Sequence, residues 1–523
     1  MPSRVILARQ SCNRRAGGDN TGAAGNRACK QDKRLSSRSA SSHSRFWTIL
    51  ASVCACILGT ACAHQKQTPP VSEAWTYTVS ELDDNREFWR VELCFRGERP
   101  QVLVATEEAA DIIIEPRSSA NGELLPLERG TTPTIHLGDL KGSCLTYGVD
   151  LTAASQGFRA NVRRIGEDLV VANELWLWHP RHIHRSTQIT AEFHIGEARV
   201  STPWASDSRG RFVLPSSALY WRSYTAIGDL DTDTIKVADG TLEIVLLDAP
   251  HRLTREGAHR WLRAAGEATA ALYGTLPVPH LRVLVLPVGA SNEPVVFGTV
   301  ERGGTSVLLL ISSEAEDEDF YGEWVAIHEF LHLGMPFIDR DDAWLPEGFV
   351  TYYTEVVRAR MGMKSEAAAW SALLDGFRRG REDVRGDRSL DVASRSMHRL
   401  HAYSWVYWGG AAIALLSDVA IRQQSGGKLA LDDGLRHIWR CCALSHRRWT
   451  GSEILAELDR WRGNSWIIPL SQRLLQTSGF AELPSLYRKL GVSMVHESPA
   501  LDGTSALSHL RSEIFAKSSQ ASN

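Results

Sequence analysis

His328-Glu329-Phe330-Leu331-His332 sets two imidazoles four residues apart with a carboxylate beside the first. On a helix, side chains at i and i+4 stack on one face about one turn apart, so both rings can reach one metal ion while Glu329 stands next to them. This is the pattern of a hydrolytic zinc site, where the ion lowers the pKa of a water towards about 7 and a carboxylate takes up its proton. A site of that kind needs a third protein ligand and an open fourth position. Glu347, within Asp341-Asp342-Ala343-Trp344-Leu345-Pro346-Glu347-Gly348-Phe349, is the candidate, because Pro346 marks a helix start and puts Glu347 in the first turn. Local sequence alone leaves open an ordinary helix-start carboxylate favoured by the macrodipole. Thr351, one turn beyond Glu347, is a candidate to hydrogen-bond a metal ligand from behind.

The elements that must hold these residues are legible as changes of period. Trp324, Val325, Ile327, Phe330 and Leu331 make the segment Trp324–Met335 apolar nearly all round, which predicts a buried helix ended by Pro336. Helices are predicted over Pro346–Met361, Lys364–Arg379, Tyr403–Gln424 and Gly451–Arg460. Upstream, Thr254 caps a helix whose apolar positions Ala258, Trp261, Leu262, Ala265, Ala268 and Leu272 run to Gly274, and apolar strands follow over Leu281–Val288 and Thr305–Ser312. From Trp75 to about Ala238, short β-branched and aromatic runs such as Phe88–Phe95, Gln101–Ala105, Asp111–Ile114 and Ile189–Ile195 alternate with turn residues, which predicts a β-sandwich-like domain. The expected class is a multidomain α+β protein.

The two motifs together, His328 to His332 and then Trp344-Leu345-Pro346-Glu347-Gly348-Phe349-Val350-Thr351-Tyr352-Tyr353, resemble the gluzincin site of the glycyl aminopeptidase family and of its larger relative, the aminopeptidase N family. Tyr407-Trp408-Gly409-Gly410-Ala411 is similar to a Tyr-x-Lys-Gly segment of the former, with Gly409 in place of Lys, and the loop from His332 to Glu347 is shorter than usual in the latter. The resemblance covers about residues 240–495, and the PDZ module often found after this region is not expected here. It implies a thermolysin-like α/β catalytic domain over 239–362 and an α-helical domain over 363–515 that completes the active site, behind a β-sandwich-like domain over 76–238. It further implies one Zn2+ on His328, His332 and Glu347, Glu329 as general base, and Tyr407 as hydrogen-bond donor to an oxyanion. Phe297-Gly298-Thr299-Val300-Glu301-Arg302 stands where those aminopeptidases hold a substrate amine with a Glu, which makes Glu301 the candidate substrate-binding residue. The implied enzyme is a zinc metallopeptidase, an aminopeptidase acting on peptides or unfolded proteins.

The rest of the chain bounds where this chemistry takes place. At 523 residues, 43% of them hydrophobic and with a net charge of −3, the chain can bury more than one core and carries no electrostatic footprint for nucleic acid. Arg45 precedes an uncharged apolar run, Phe46–Ala61, too short for a membrane span, and Leu58-Gly59-Thr60-Ala61-Cys62 resembles a bacterial lipobox. Residues 1–61 are therefore expected to be a signal region, Cys62 a lipidated residue, 62–75 a linker and 516–523 a tail. The expected location is the bacterial cell envelope, lipid-anchored to a membrane on a periplasmic or outer-membrane face, with plain secretion as the alternative. Cys94, Cys144, Cys441 and Cys442 remain in the folded part, and an oxidising exterior permits a Cys94–Cys144 bridge. Two non-catalytic alternatives stand beside the peptidase: an envelope lipoprotein that binds peptides or proteins, and a glycan binder using aromatics such as Trp176 and Trp178.

Overall fold

The structure is a computed structural model that describes residues 73–516, apart from 84–85, 139, 156–160, 185, 384–387, 446 and 497. Cys62, the run Phe46–Ala61 and the tail beyond 516 lie outside the described residues. A β-sheet-rich region comes first and a largely α-helical region last, the multidomain α+β class expected from the sequence.

In the β region, strand alternation decides what is buried. Trp75, Tyr77 and Val79 of Ala74–Glu81, Trp89, Val91, Leu93 and Phe95 of Phe88–Arg96, and Leu145, Tyr147 and Val149 of Cys144–Asp150 all point into one core. These strands belong to a six-stranded sheet; a four-stranded sheet built from Val162–Ile165, Asp168–Ala172, Arg199–Ser201 and Tyr224–Gly228 contributes Leu169, Val171 and Ile227 to the same core. Cys94 pairs with Cys144 in register on neighbouring strands, and the two form a disulfide. Trp176 and Trp178 are fully buried there, under the hydroxyls of Tyr147 and Tyr77, which donate to their carbonyls at 2.6 and 2.7 Å. Neither ring is free to stack on a sugar. The stretch read as a strand at Asp111–Ile114 is divided: Thr106 caps a short helix, Glu107–Ile112, and the strand runs Ile113–Ser118.

The next sheet has five strands, β1 (Asp231–Val237), β2 (Gly240–Leu246), β3 (His280–Val288), β4 (Val295–Glu301) and β5 (Ser306–Ser312), in the order β1-β2-β3-β5-β4. β2, β3 and β5 are parallel, and β4 closes one edge antiparallel to β5. Helix α1 (Arg255–Tyr273) crosses from β2 to β3, capped by Thr254, whose hydroxyl accepts from the Gly257 amide, and ended by Gly274 in the left-handed region. Its predicted apolar stripe is buried in a hydrophobic cluster that continues from Ile235 through the later helices to Phe515.

Helices α2 (Trp324–Leu331), α3 (Trp344–Arg360) and α4 (Tyr403–Ser425) carry the candidate site. The α-helical part of the first is shorter than Trp324–Met335, since the chain tightens into a 3-10 turn at His332–Gly334. The second begins at Trp344, two residues earlier than expected; Pro346 still sits in its first turn, where an N–H has no acceptor within the helix. α3 and α4 touch backbone to backbone: a Cβ on Gly410 would fall 1.8 Å from the Trp344 carbonyl oxygen. A buried network locks the pair, with Tyr352 donating to Asp418 at 2.9 Å, Tyr353 to Asp432 at 2.7 Å, and Arg422 and Arg360 neutralising those carboxylates. α4 is long and apolar enough to cross a membrane, but most of it is buried inside this core.

Candidate metal centre

α2 and α3 bring three ligand atoms to one point. His328 Nε2 and His332 Nε2 are 3.2 Å apart, and each lies 3.4 Å from Glu347 Oε2. A tetrahedral zinc with ligand bonds near 2.0–2.1 Å has ligand atoms about 3.3 Å from each other. The triangle therefore matches one face of such a tetrahedron in size and donor type, and the three residues fit a zinc ion.

The environment holds those atoms in a metal-ready state. The Thr354 hydroxyl donates to the Val350 carbonyl at 2.8 Å, which leaves its oxygen to accept from His328 Nδ1 at 3.5 Å. That contact favours the tautomer with its proton on Nδ1 and a lone pair on Nε2. Thr351, the residue expected in this role, has a buried hydroxyl without a hydrogen-bond partner. Burial pushes the Glu347 carboxyl up, but the adjacent His332 and His328 outweigh it and hold the group well below the usual carboxylate range. The Tyr407 ring stacks on His328, 5.9 Å between centroids and 6° between planes, and its hydroxyl is close enough to Glu347 to feel the carboxylate's charge. Burial first, and then the charge of Glu347, raise the Tyr407 pKa well above 10, so the phenol keeps its proton.

Glu329 lies between α2 and the sheet edge. A Cβ on Gly298 of β4 would stand 2.7 Å from Glu329 Cγ, so only glycine lets the edge strand approach this closely. The approach also brings the Val300 amide near enough to favour the ionised Glu329 carboxylate. Burial raises that carboxyl to about 7, against the opposing pull of His328. The N-cap of α2 is also a carboxylate: Glu323 accepts from the Val325 and Ala326 amides at 2.7 and 3.1 Å.

Glu301 is placed elsewhere. It is 3% exposed, and its carboxylate accepts from Arg282 Nη2 at 2.8 Å and from the Tyr224 amide at 3.4 Å. Arg302, the next residue, stands on the metal side: burial disfavours its charge, while Glu347 and Glu329 favour it. Sequence reading missed Thr354 and the Arg282 partner of Glu301; only the i, i+7 spacing of Thr354 from Glu347 hinted at the first, and nothing local hinted at the second.

Two other groupings hold no comparable site. Cys441, near His437 and Glu457, is bonded to Cys442, while Glu457 is already paired with Arg460. Glu92 lies beside Cys94 and Cys144, whose sulfurs are joined to each other.

No family model and no curated protein matches the chain. Among solved structures, an aminopeptidase N family protein from Idiomarina loihiensis aligns with a TM-score of 0.64 at 17% identity, over 80% of this chain and 78% of the other. The M1 zinc metallopeptidase from Deinococcus radiodurans aligns with a TM-score of 0.50 at 16% identity, over 79% of this chain and 95% of the other. At these identities the likeness is one of fold, and this chain has the fold of those proteins together with a His/His/Glu cluster suited to a metal ion.

Proposed function

We propose that the protein is a zinc-dependent metallopeptidase of the gluzincin type that hydrolyses peptide bonds. The observation that carries this reading is the triangle of His328, His332 and Glu347 ligand atoms, with edges of 3.2, 3.4 and 3.4 Å. A zinc ion held by these residues supplies Lewis-acid chemistry for water and a peptide carbonyl. Glu329, with a carboxyl at about 7, is poised to take a proton from the attacking water and return it to the leaving amine. Tyr407, a protonated phenol beside the ligands, can donate a hydrogen bond to the developing oxyanion. Removal of single N-terminal residues is the finer reading that the resemblance implies.

A signal region over residues 1–61 and a lipid anchor on Cys62 in a bacterial envelope are part of this proposal, supported by the Leu58–Cys62 motif and by the bacterial sources of the similar structures. So are the divisions 76–238, 239–362 and 363–515.

The test is zinc content together with chelator-sensitive release from a mixed peptide library, for the wild type and Glu329→Gln. The wild type should bind about one zinc per chain and cleave, while the variant should keep the zinc and lose roughly 10²–10⁴-fold in turnover. Undiminished cleavage by Glu329→Gln would reject the mechanism, and bound zinc without cleavage would favour a peptide-binding lipoprotein.

A further inference from the structure

We propose that Arg302 sets the substrate class of this site, receiving a carboxylate that the peptide presents next to the bond to be cut, and that Glu301 receives no substrate amine. The inference rests on the peptidase reading above. It starts from two adjacent side chains that face opposite ways.

Glu301 ends β4 with its carboxylate turned into the seam between the sheets. Its partner Arg282 is equally buried and spends its other N–H groups on Ser306 Oγ at 3.0 Å, the Ser201 carbonyl at 3.1 Å and the Tyr224 carbonyl at 2.9 Å. A substrate ammonium reaching Glu301 would have to displace this guanidinium and leave it buried without a counter-charge. The charge of Glu301 is already matched.

Arg302 carries the opposite sign on the side of the metal ligands. Its guanidinium donates to the carbonyl of Met335, three residues beyond ligand His332, at 3.5 Å, and lies 5.4 Å from the centroid of the Phe337 ring. Among the described residues no carboxylate lies within 4.0 Å of it, although it is close enough to Glu347 and Glu329 to feel their charge. The turn that carries it is held from the β region: Trp204 Nε1 donates to the Gly303 carbonyl at 2.8 Å, the Gly303 amide to Arg222 at 3.2 Å and the Thr305 amide to Pro203 at 3.1 Å. Arg448 also stacks on Phe337, at 5.1 Å, but its charge is paired with Asp339 at 3.6 Å, which leaves Arg302 as the guanidinium without a carboxylate partner here. A fixed guanidinium with unused donors beside the ligands matches a carboxylate in charge and in the geometry of its fork, and repels an ammonium.

A carboxylate can come from an acidic side chain on the residue whose carbonyl is attacked, or from a free chain terminus. Kinetics on the zinc-loaded protein separate these sources. The substrates are one core peptide with a free amine, the same peptide N-acetylated, the acetylated peptide with Glu before the scissile bond, and C-terminal acid and amide pairs. The wild type should prefer a carboxylate-bearing member by about tenfold or more in kcat/KM, and should tolerate acetylation. Arg302→Gln should abolish that preference by raising KM for the carboxylate-bearing members relative to their neutral counterparts, while Arg302→Lys should retain part of it. An equal loss on all peptides, or a wild-type preference for the free amine that disappears in Glu301→Gln, would overturn the proposal. Calorimetry with N-acetylglutamate gives a readout without turnover. Binding by the wild type that is lost in Arg302→Gln supports the carboxylate site even where no peptide is cut, a result that would sink only the peptidase reading. Equal binding to both proteins would overturn the role of Arg302.

Discussion

Two threonines one turn apart on α3 illustrate how finely the site is set. Thr354 is a hydrogen-bond partner for His328 Nδ1, whereas the buried Thr351 hydroxyl meets no partner. Loss of an outer hydrogen bond to a ligating histidine typically lowers metal affinity 10–100-fold. Thr354→Val should therefore weaken zinc binding by about that factor, measured by competition with a chelator, and Thr351→Val should leave it unchanged. Equal effects of the two substitutions would remove Thr354 from the site. The contrast was illegible in sequence, because both hydroxyls lie on the face of α3 that carries Glu347, and only the packing of α2 on α3 separates them.

The start of α2 carries a charge that its burial opposes. Glu323 is 8% exposed, and burial raises its carboxyl from 4.5 to about 7 despite the two amides it caps. A raised folded-state pKa means that the native protein holds this proton more tightly than the unfolded chain does. The contribution to stability is then fully present below about pH 4, the unfolded value, and is lost as pH rises through about 7. Glu323→Gln removes that titration. Relative to the wild type, the variant should gain on the order of 3 kcal/mol between pH 4 and pH 8, read from denaturant unfolding at a series of pH values. A stability difference independent of pH would show that Glu323 has the same pKa in the folded and the unfolded protein. The helix itself was legible from its apolar residues, but its cap was not, because a Glu before a Trp carries no burial information until the chain has folded around it.

The whole molecule is joined through a seam of buried polar groups. Arg282 of β3 and Glu301 of β4 face Ser201 and Tyr224 of the β region, so one ion pair fastens two cores together. Removing one partner leaves a buried charge unmatched and costs about 3–5 kcal/mol, whereas replacing both by apolar residues is often neutral. Glu301→Ala should be destabilised by that amount in thermal or denaturant unfolding, and Glu301→Leu combined with Arg282→Met should recover most of it. An unchanged unfolding midpoint for the single variant would mean that the carboxylate is not buried against Arg282.

Local sequence determined the parts of this protein whose signals are short in range. The i, i+4 spacing of His328 and His332, the helix start at Pro346 and the alternation of Trp75, Tyr77 and Val79 each follow from a helical or strand period, and each marked out the element later seen around it. Tertiary structure alone decided which way side chains of unchanged sequence point. Glu301 and Arg302 are neighbours at the end of an edge strand, and the side of the sheet that each faces depends on where β4 stops and on the β region packed against its turn. The buried pair of Arg360 and Asp432 likewise joins residues far apart in the chain, so no short window of sequence contains both the charge and its partner, whereas Asp418 and Arg422 stand one turn apart on α4.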